Sequence, residues 1–193
     1  MLETLITWDT NLFLFLNGIH SPFWDQFMLF VTGKWIWIPL YLFIIGWLIR
    51  KYRWKGAVLL LFIVLLITLS DQSSVKLFKQ VFMRLRPCHD PVIADLVHTV
   101  NGKCGGKYGF VSSHAANTFA IAIFSLLLIK NRYYTISIIF WASLVSYSRV
   151  YLGVHFPGDI IGGAMLGMII GYIVYKGYRI TDSKLLVKYK RFR

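Results

Sequence analysis

Three clusters of polar and charged residues interrupt a chain that is otherwise rich in apolar side chains. Lys79, Arg84, Arg86 and Pro87 form the first, Ser112, Ser113 and His114 the second, and Ser148, Arg149, His155 and Asp159 the third. Three cations (Lys79, Arg86 and Arg149), two hydroxyls and two imidazoles make a site for a multiply charged anion with tetrahedral oxygens. Phosphate fits, because an arginine fork matches two of its oxygens while lysine adds a point charge. The histidines point beyond binding to chemistry. A neutral imidazole attacks phosphorus when a carboxylate holds its other ring nitrogen, and Asp159 follows His155 across the turn Phe156-Pro157-Gly158. His114 suits proton donation to the leaving oxygen, since an ordinary histidine titrates at about 6.5. The amides of Ser112 to His114, opening a helix, would help hold the phosphoryl oxygens. Fixed cations rather than a metal would meet the transition-state charge.

The elements that must position these groups read as membrane helices. Of 193 residues 57% are hydrophobic and 15% charged, and the mean hydropathy is +0.61, too apolar for a soluble domain of this length. Aromatics at 17% exclude a disordered chain, and two cysteines are too few for a disulfide framework. Five segments suit a hydrocarbon core of roughly 30 Å. The first ends as Trp35 to Ile49, with Ser21 to Gly33 extending it as a helix bent at Gly33; the others are Gly56 to Lys79, Ala115 to Ile129, Tyr133 to Val150 and Ile160 to Tyr175. Met1 to His20, with Glu3, Asp9, Asn11 and Asn17 among Leu, Phe and Trp, reads as an interfacial helix. No basic n-region marks it as a cleaved signal peptide. The expected architecture is an all-α integral membrane protein, a bundle of about five transmembrane helices with an N-terminal interfacial helix. It forms one domain over 1–193, divided into the interfacial helix 1–20, the bundle 21–176 and a basic cytoplasmic tail 177–193.

Sidedness follows from lysine and arginine. Thirteen of the 21 lie in the 50–55 and 130–132 loops and the tail from Lys176 to Arg193, and eight on the other side, so the tail side is expected to be cytoplasmic. The net charge of +13 is therefore a membrane-topology signal rather than a nucleic-acid footprint. Two crossings separate the loop after the second segment from that after the fourth. The three clusters thus share one face, expected to be the extracytoplasmic face of a plasma (inner) membrane.

These residues resemble the type-2 phosphatidic acid phosphatases, or lipid phosphate phosphatases, which share their site with vanadium haloperoxidases. The family's first motif, Lys, six residues, Arg-Pro, is similar to Lys79 to Pro87. Its third, Ser-Arg, five residues, His, three residues, Asp, is similar to Ser148-Arg149 through His155 to Asp159. Its central Pro-Ser-Gly-His stands as Val111-Ser112-Ser113-His114. The resemblance implies that His155 is the nucleophile forming a phosphohistidine, Asp159 its orienting partner and His114 the general acid. It also implies that Lys79, Arg86, Ser112, Ser113 and Arg149 bind phosphate, with no metal and no cofactor. A side chain at Ser113, where the family has glycine, would narrow the approach. The implied activity is metal-independent hydrolysis of a phosphate monoester or diphosphate on an envelope lipid. Lipid A phosphate and undecaprenyl diphosphate are favoured without ranking, ahead of phosphatidic acid and phosphatidylglycerol phosphate. The competing class is an anion-binding polytopic transporter, against which stands the lack of an inverted repeat.

Other polar residues receive structural readings. His20, His89 and His98 match no motif position, and the five histidines and two cysteines lack zinc spacing. Asp71, eight residues before Lys79, reads as a polar strut, with a proton relay as the alternative. Gly163, Gly167 and Gly171 read as a close-packing face inside the monomer. Cys88 and Cys104 are expected to pair, closing a loop worth about 3 kcal/mol in the chain-entropy model.

Overall fold

Apolar runs, proline starts and polar caps set the boundaries of the helices. A computed structural model describes residues 2–53 and 56–191, with side chains described over 3–53 and 56–183. Lys55 and Arg193 of the charge asymmetry lie outside the described residues, as do the side chains of Lys184, Lys188, Lys190 and Arg191.

Helix α1 spans Leu2–Gly18 and α2 spans Pro22–Thr32. Pro22 pre-sets the first turn of α2, and the Ser21 hydroxyl accepts from the Trp24 amide. A 3-10 turn, Trp35–Trp37, leads into α3, Ile38–Tyr52. The chain bends by 64° between these two halves. The break falls at Gly33 and Lys34, so the bend expected at Gly33 is present. Helix α4, Gly56–Ser73, continues through a π-helical stretch, Ser74–Lys79, into a last turn α5, Gln80–Phe82. Wide turns of this kind recur at functional sites because they re-aim side chains within a helix. Helix α6, Ser113–Ile129, α7, Arg132–Tyr151, and α8, Pro157–Arg191, complete the chain. The helix of α8 continues through 177–191, so most of the stretch expected as a basic tail is helical.

Helix α6 sits at the centre, against α4, α7 and most closely α8. The glycine face expected on α8 explains that contact. A Cβ at Gly163, Gly167 or Gly171 would run into the backbone carbonyls of Ser112, Ala116 and Ala120, so only glycine lets the two backbones approach this far. Around this pair lie Leu48, Leu59, Leu66, Phe124, Leu128, Ile138, Val145, Val174 and Tyr178. Outward faces carry large apolar side chains, including Leu61 at 71% exposure, Val64 at 65%, Phe140 at 66% and Ile173 at 60%. Such a surface suits hydrocarbon and not water.

The protein is thus an all-helical membrane protein, apart from one isolated antiparallel bridge between Leu85 and Tyr108 among the described residues. Two helical units, Gly56–Phe82 and Pro157–Ser183, are long and apolar enough to span, and the bent pair Pro22–Thr32 with Trp35–Tyr52 reaches that length and apolarity only when its two halves are taken together. Ser113–Ile129 is apolar but shorter. Helix α1 docks across the end of the bundle. Its Phe13 is fully buried against Phe156, with ring centroids 5.3 Å apart, and its buried Asn17 donates to the carbonyls of His98, Val150 and Tyr151.

Candidate active site

The connections from α5 to α6 and from α7 to α8 emerge at the same end of the bundle, and the three clusters meet there. Lys79, Arg86, Ser113, His114, Arg149 and His155 line one cavity of about 860 Å³. Each arrives by a different local device. Lys79 closes the π-helical stretch, His114 lies in the first turn of α6 and Arg149 in the last turn of α7. Arg86 is held by the long loop, where Cys88 and Cys104 form the expected disulfide with Cα atoms 6.0 Å apart. The carbonyl of Cys104 accepts from Arg86 Nη1 at 2.9 Å and that of Tyr108 from Nε at 3.3 Å. The loop therefore fixes the guanidinium before any ligand arrives.

His155 sits in the turn before α8, 1% exposed, with Nδ1 3.3 Å from Asp159 Oδ2. The Phe156 amide donates to the same oxygen at 3.0 Å. Asp159 is fully buried. With Nδ1–H directed at this carboxylate, Nε2 is the nitrogen that carries the reactive lone pair. Burial holds the His155 pKa well below its ordinary value, and Arg86, Arg149, Lys79 and Arg84 push it the same way, so the ring is neutral at physiological pH. Burial also lowers Arg86, against the opposing pull of Asp159. Gly109 is required beside this pair: a Cβ there would stand 2.8 Å from Asp159 Oδ2 and 3.4 Å from His155 Nδ1.

The two serines of the second cluster separate. Ser113 Oγ accepts from Lys79 Nζ at 2.9 Å and shares a 2.7 Å hydrogen bond with Ser74 Oγ. Ser112 is fully buried, and its hydroxyl caps α6 by accepting from the Ala115 amide; it lies outside the cavity lining. Its amide donates to the Asp159 carbonyl at 3.0 Å, which ties α6 to the start of α8.

Four contributors were not singled out as site residues in the sequence. Thr32 and Lys34 enter the cavity lining from the break between α2 and α3, and Thr32 Oγ1 accepts from Arg149 Nη1 at 2.6 Å. Nothing in the local pattern pairs residue 32 with residue 149. Arg84 and Asp9 form an ion pair behind the histidine, with Arg84 Nη2 2.7 Å from Asp9 Oδ2 and Nη1 3.0 Å from Asp159 Oδ1. A signal for Arg84 did exist. It stands in the first polar cluster, two residues before Arg86.

Beyond the cations the same cavity continues past Asp71, Gln72 and Asn117 to Ile44, Leu48, Ile63, Leu66 and Phe124. A neutral histidine backed by a carboxylate, in a cavity shared with Lys34, Lys79, Arg86 and Arg149 that opens onto an apolar cleft within a helical membrane bundle, suits phosphoryl chemistry on an amphiphile. The PAP2 superfamily model matches residues 56–181, about two thirds of the chain and all three motifs, and the protein belongs to that family. It is 47% identical over 177 residues to a lipid A 4'-phosphatase of Bacteroides thetaiotaomicron, covering 91% of this chain and 79% of that protein. It is 40% identical over 186 residues to the lipid A 4'-phosphatase of Porphyromonas gingivalis, covering 96% and 79%. Among solved structures, the PAP2-type phosphatidylglycerolphosphate phosphatase of Bacillus subtilis superposes with a TM-score of 0.70 at 25% identity, over 92% of this chain and 87% of that one.

Proposed function

We propose that the protein is an integral-membrane phosphatase that removes a phosphoryl group from an acylated amino-sugar lipid of the envelope, lipid A phosphate being the fitting substrate. The observation that carries the reading is the continuity of one cavity from the His155–Asp159 pair and three cations to an apolar cleft. The named activity of the two similar bacterial phosphatases supports the choice of lipid. So does the lining between the two ends. Asp71, Gln72 and Asn117 offer hydrogen-bond partners where a sugar phosphate carries hydroxyl and amide groups and a polyprenyl diphosphate carries only hydrocarbon.

In this reading Lys79, Arg86 and Arg149 bind the phosphoryl oxygens, with the Ser113 amide adding a donor at the start of α6. His155 Nε2 attacks phosphorus in line with the ester oxygen. As the P–O bond breaks, His114 protonates the leaving lipid oxygen and a phosphohistidine remains. Asp159 holds the imidazole and stabilises the positive charge it acquires. Water, deprotonated by His114, then cleaves the P–N bond, giving inorganic phosphate and restoring neutral His155. Substrate binding and charge stabilisation rest on protein cations, with no metal assigned. Ser112 serves as the helix cap that places His114.

The same reading has five crossings, with α2 and α3 acting as one broken span and α1 lying against the extracytoplasmic interface. Residues 1–193 then form one catalytic domain, with the site outside and the C-terminus in the cytoplasm. The lysine and arginine asymmetry supports this orientation.

Phosphate release by detergent-purified protein, in excess EDTA, is the test. The panel is lipid A, undecaprenyl diphosphate, phosphatidic acid and phosphatidylglycerol phosphate, with His155→Ala alongside. Turnover of lipid A that survives EDTA and vanishes in the variant is expected. Absence of release from every lipid by folded protein would overturn the reading.

A further inference from the structure

Asp159 is a buried carboxylate, and what holds it is not confined to the family motif. Its Oδ2 faces His155 and the Phe156 amide, while its Oδ1 accepts from Arg84 Nη1 at 3.0 Å. The other branch of that guanidinium, Nη2, reaches Asp9 Oδ2 at 2.7 Å. Asp9 Oδ1 in turn accepts from the Gly158 amide at 2.7 Å, in the first turn of α8 and one residue before Asp159. The guanidinium also lies 4.1 Å from the centre of the Phe156 ring, where the ring face attracts a cation. The result is a closed loop of contacts, Asp9 to Arg84 to Asp159 and back through the α8 backbone to Asp9.

Arg84 is absent from the cavity lining, unlike Lys79, Arg86 and Arg149. It therefore faces the back of the carboxylate and not the phosphoryl group. Asp9 belongs to α1, outside the matched family region, and is 16% exposed against 26% for Arg84 and zero for Asp159. A fork that satisfies two carboxylates at once is a task for arginine, since a lysine offers a single point charge.

We propose that Asp9 and Arg84 are positioning residues for catalysis. The N-terminal helix holds Arg84, Arg84 fixes the rotamer and charge of Asp159, and Asp159 thereby keeps His155 in the Nδ1–H tautomer with Nε2 toward phosphorus. The docking of α1 through Phe13 and Asn17 places Asp9 where this requires it. The proposal rests on the phosphatase reading of the site. A helix read as a membrane-surface anchor is, on this account, part of the reaction centre.

The experiment uses full-length protein in detergent, labelled with nitrogen-15 histidine, as wild type, Asp9→Asn, Arg84→Gln, Arg84→Lys and the Asp9→Asn/Arg84→Gln double variant. Thermal unfolding of each reports folding. Outer partners of this kind are worth about 10-fold to 100-fold in activity, and the loss is expected in kcat with KM within about twofold. Arg84→Lys is expected to be as impaired as Arg84→Gln. Residues acting in series are non-additive, so the double variant should match Arg84→Gln alone. In the spectra the Nδ1–H signal of His155 should weaken in each single variant. A purely structural role would lower the unfolding temperature and leave both the tautomer and kcat of the folded fraction unmoved, which overturns the proposal. Should Arg84→Gln fail to fold, Asp9→Asn decides. Should wild type release no phosphate, the phosphatase reading fails, and the His155 tautomer alone judges the network.

Discussion

The Lys79 ammonium donates to Ser113 Oγ at 2.9 Å, and the same hydroxyl shares a hydrogen bond with Ser74. Ser113 stands where the family motif carries glycine, so this chain has a side chain there that grips Lys79, the lysine proposed to bind phosphate. The π-helical stretch that contains Ser74 and ends at Lys79 brings both partners to one point. Removing the hydroxyl by Ser113→Gly loosens Lys79. A hydrogen bond to a charged group is worth about 1.5–3 kcal/mol, so kcat/KM should fall by roughly tenfold or more while the protein remains active. Steady-state phosphate release measures it, and an unchanged kcat/KM would contradict this role for Ser113.

A methyl group at Gly109 should be far more damaging than its size suggests. It would press on Asp159 and His155 together. Misplacement of reacting groups by about 1 Å costs on the order of 100-fold. Gly109→Ala is therefore expected to lose roughly that factor in kcat, with the disulfide and helix content intact by non-reducing gel and circular dichroism.

His155 gives stability a pH dependence whose sign can be worked out. In the unfolded chain the ring takes up a proton below about 6.5, whereas burial and four neighbouring cations keep the folded ring neutral at that pH. The unfolded state then binds more protons, so stability is full above that pH and falls as acid is added. Thermal unfolding in detergent between pH 7.5 and 5.5 should show a steeper acid decline for wild type than for His155→Asn. Equal slopes would mean that the folded ring titrates normally.

On the proposed role of Arg86 the Cys88–Cys104 disulfide bears on substrate binding, because the Cys104 carbonyl holds Arg86. Cys88→Ser/Cys104→Ser should raise KM by about tenfold, as expected for a charge clamp left to order itself on binding. It should also destabilise the protein by about 3 kcal/mol in the loop-entropy model. Kinetics and melting curves read the two effects separately.

Discrimination between lipids should reside in the polar middle of the cavity. Asn117 Nδ2 leans on Asp71 Oδ1 at 3.4 Å, while its own oxygen is buried without a protein partner among the described residues. Asn117→Leu is expected to lower kcat/KM on lipid A about tenfold and to leave undecaprenyl diphosphate within about twofold, since only the sugar loses a hydrogen bond. A uniform effect on both lipids would locate specificity elsewhere.

Much of the centre was legible because motif spacing is local. Four residues across a turn carry Asp159 to His155, and counting the apolar segments predicts that Lys79, Ser113, His114 and Arg149 meet at one end, where they line one cavity. The bend at Gly33 and the glycine face of α8 were readable for the same reason. What escaped depends on docking between distant segments. Asp9 meets Arg84 across 75 residues and Thr32 meets Arg149 across 117, and no periodicity encodes either pair. Ser112 shows the reverse: a serine before a helix is as good a cap as a ligand, and here its hydroxyl caps α6 and lies outside the cavity lining.

The cavity that holds cations at one end and aliphatic side chains at the other makes an intact lipid phosphate a bivalent ligand. Each end raises the effective concentration of the other group, so the two weak grips act as one strong one. The scissile bond is the tether between them. Once it breaks, the lipid is held by the apolar end alone, and once water has cleaved the phosphohistidine the phosphate is held by the cations alone, so each half of the reaction loosens one product.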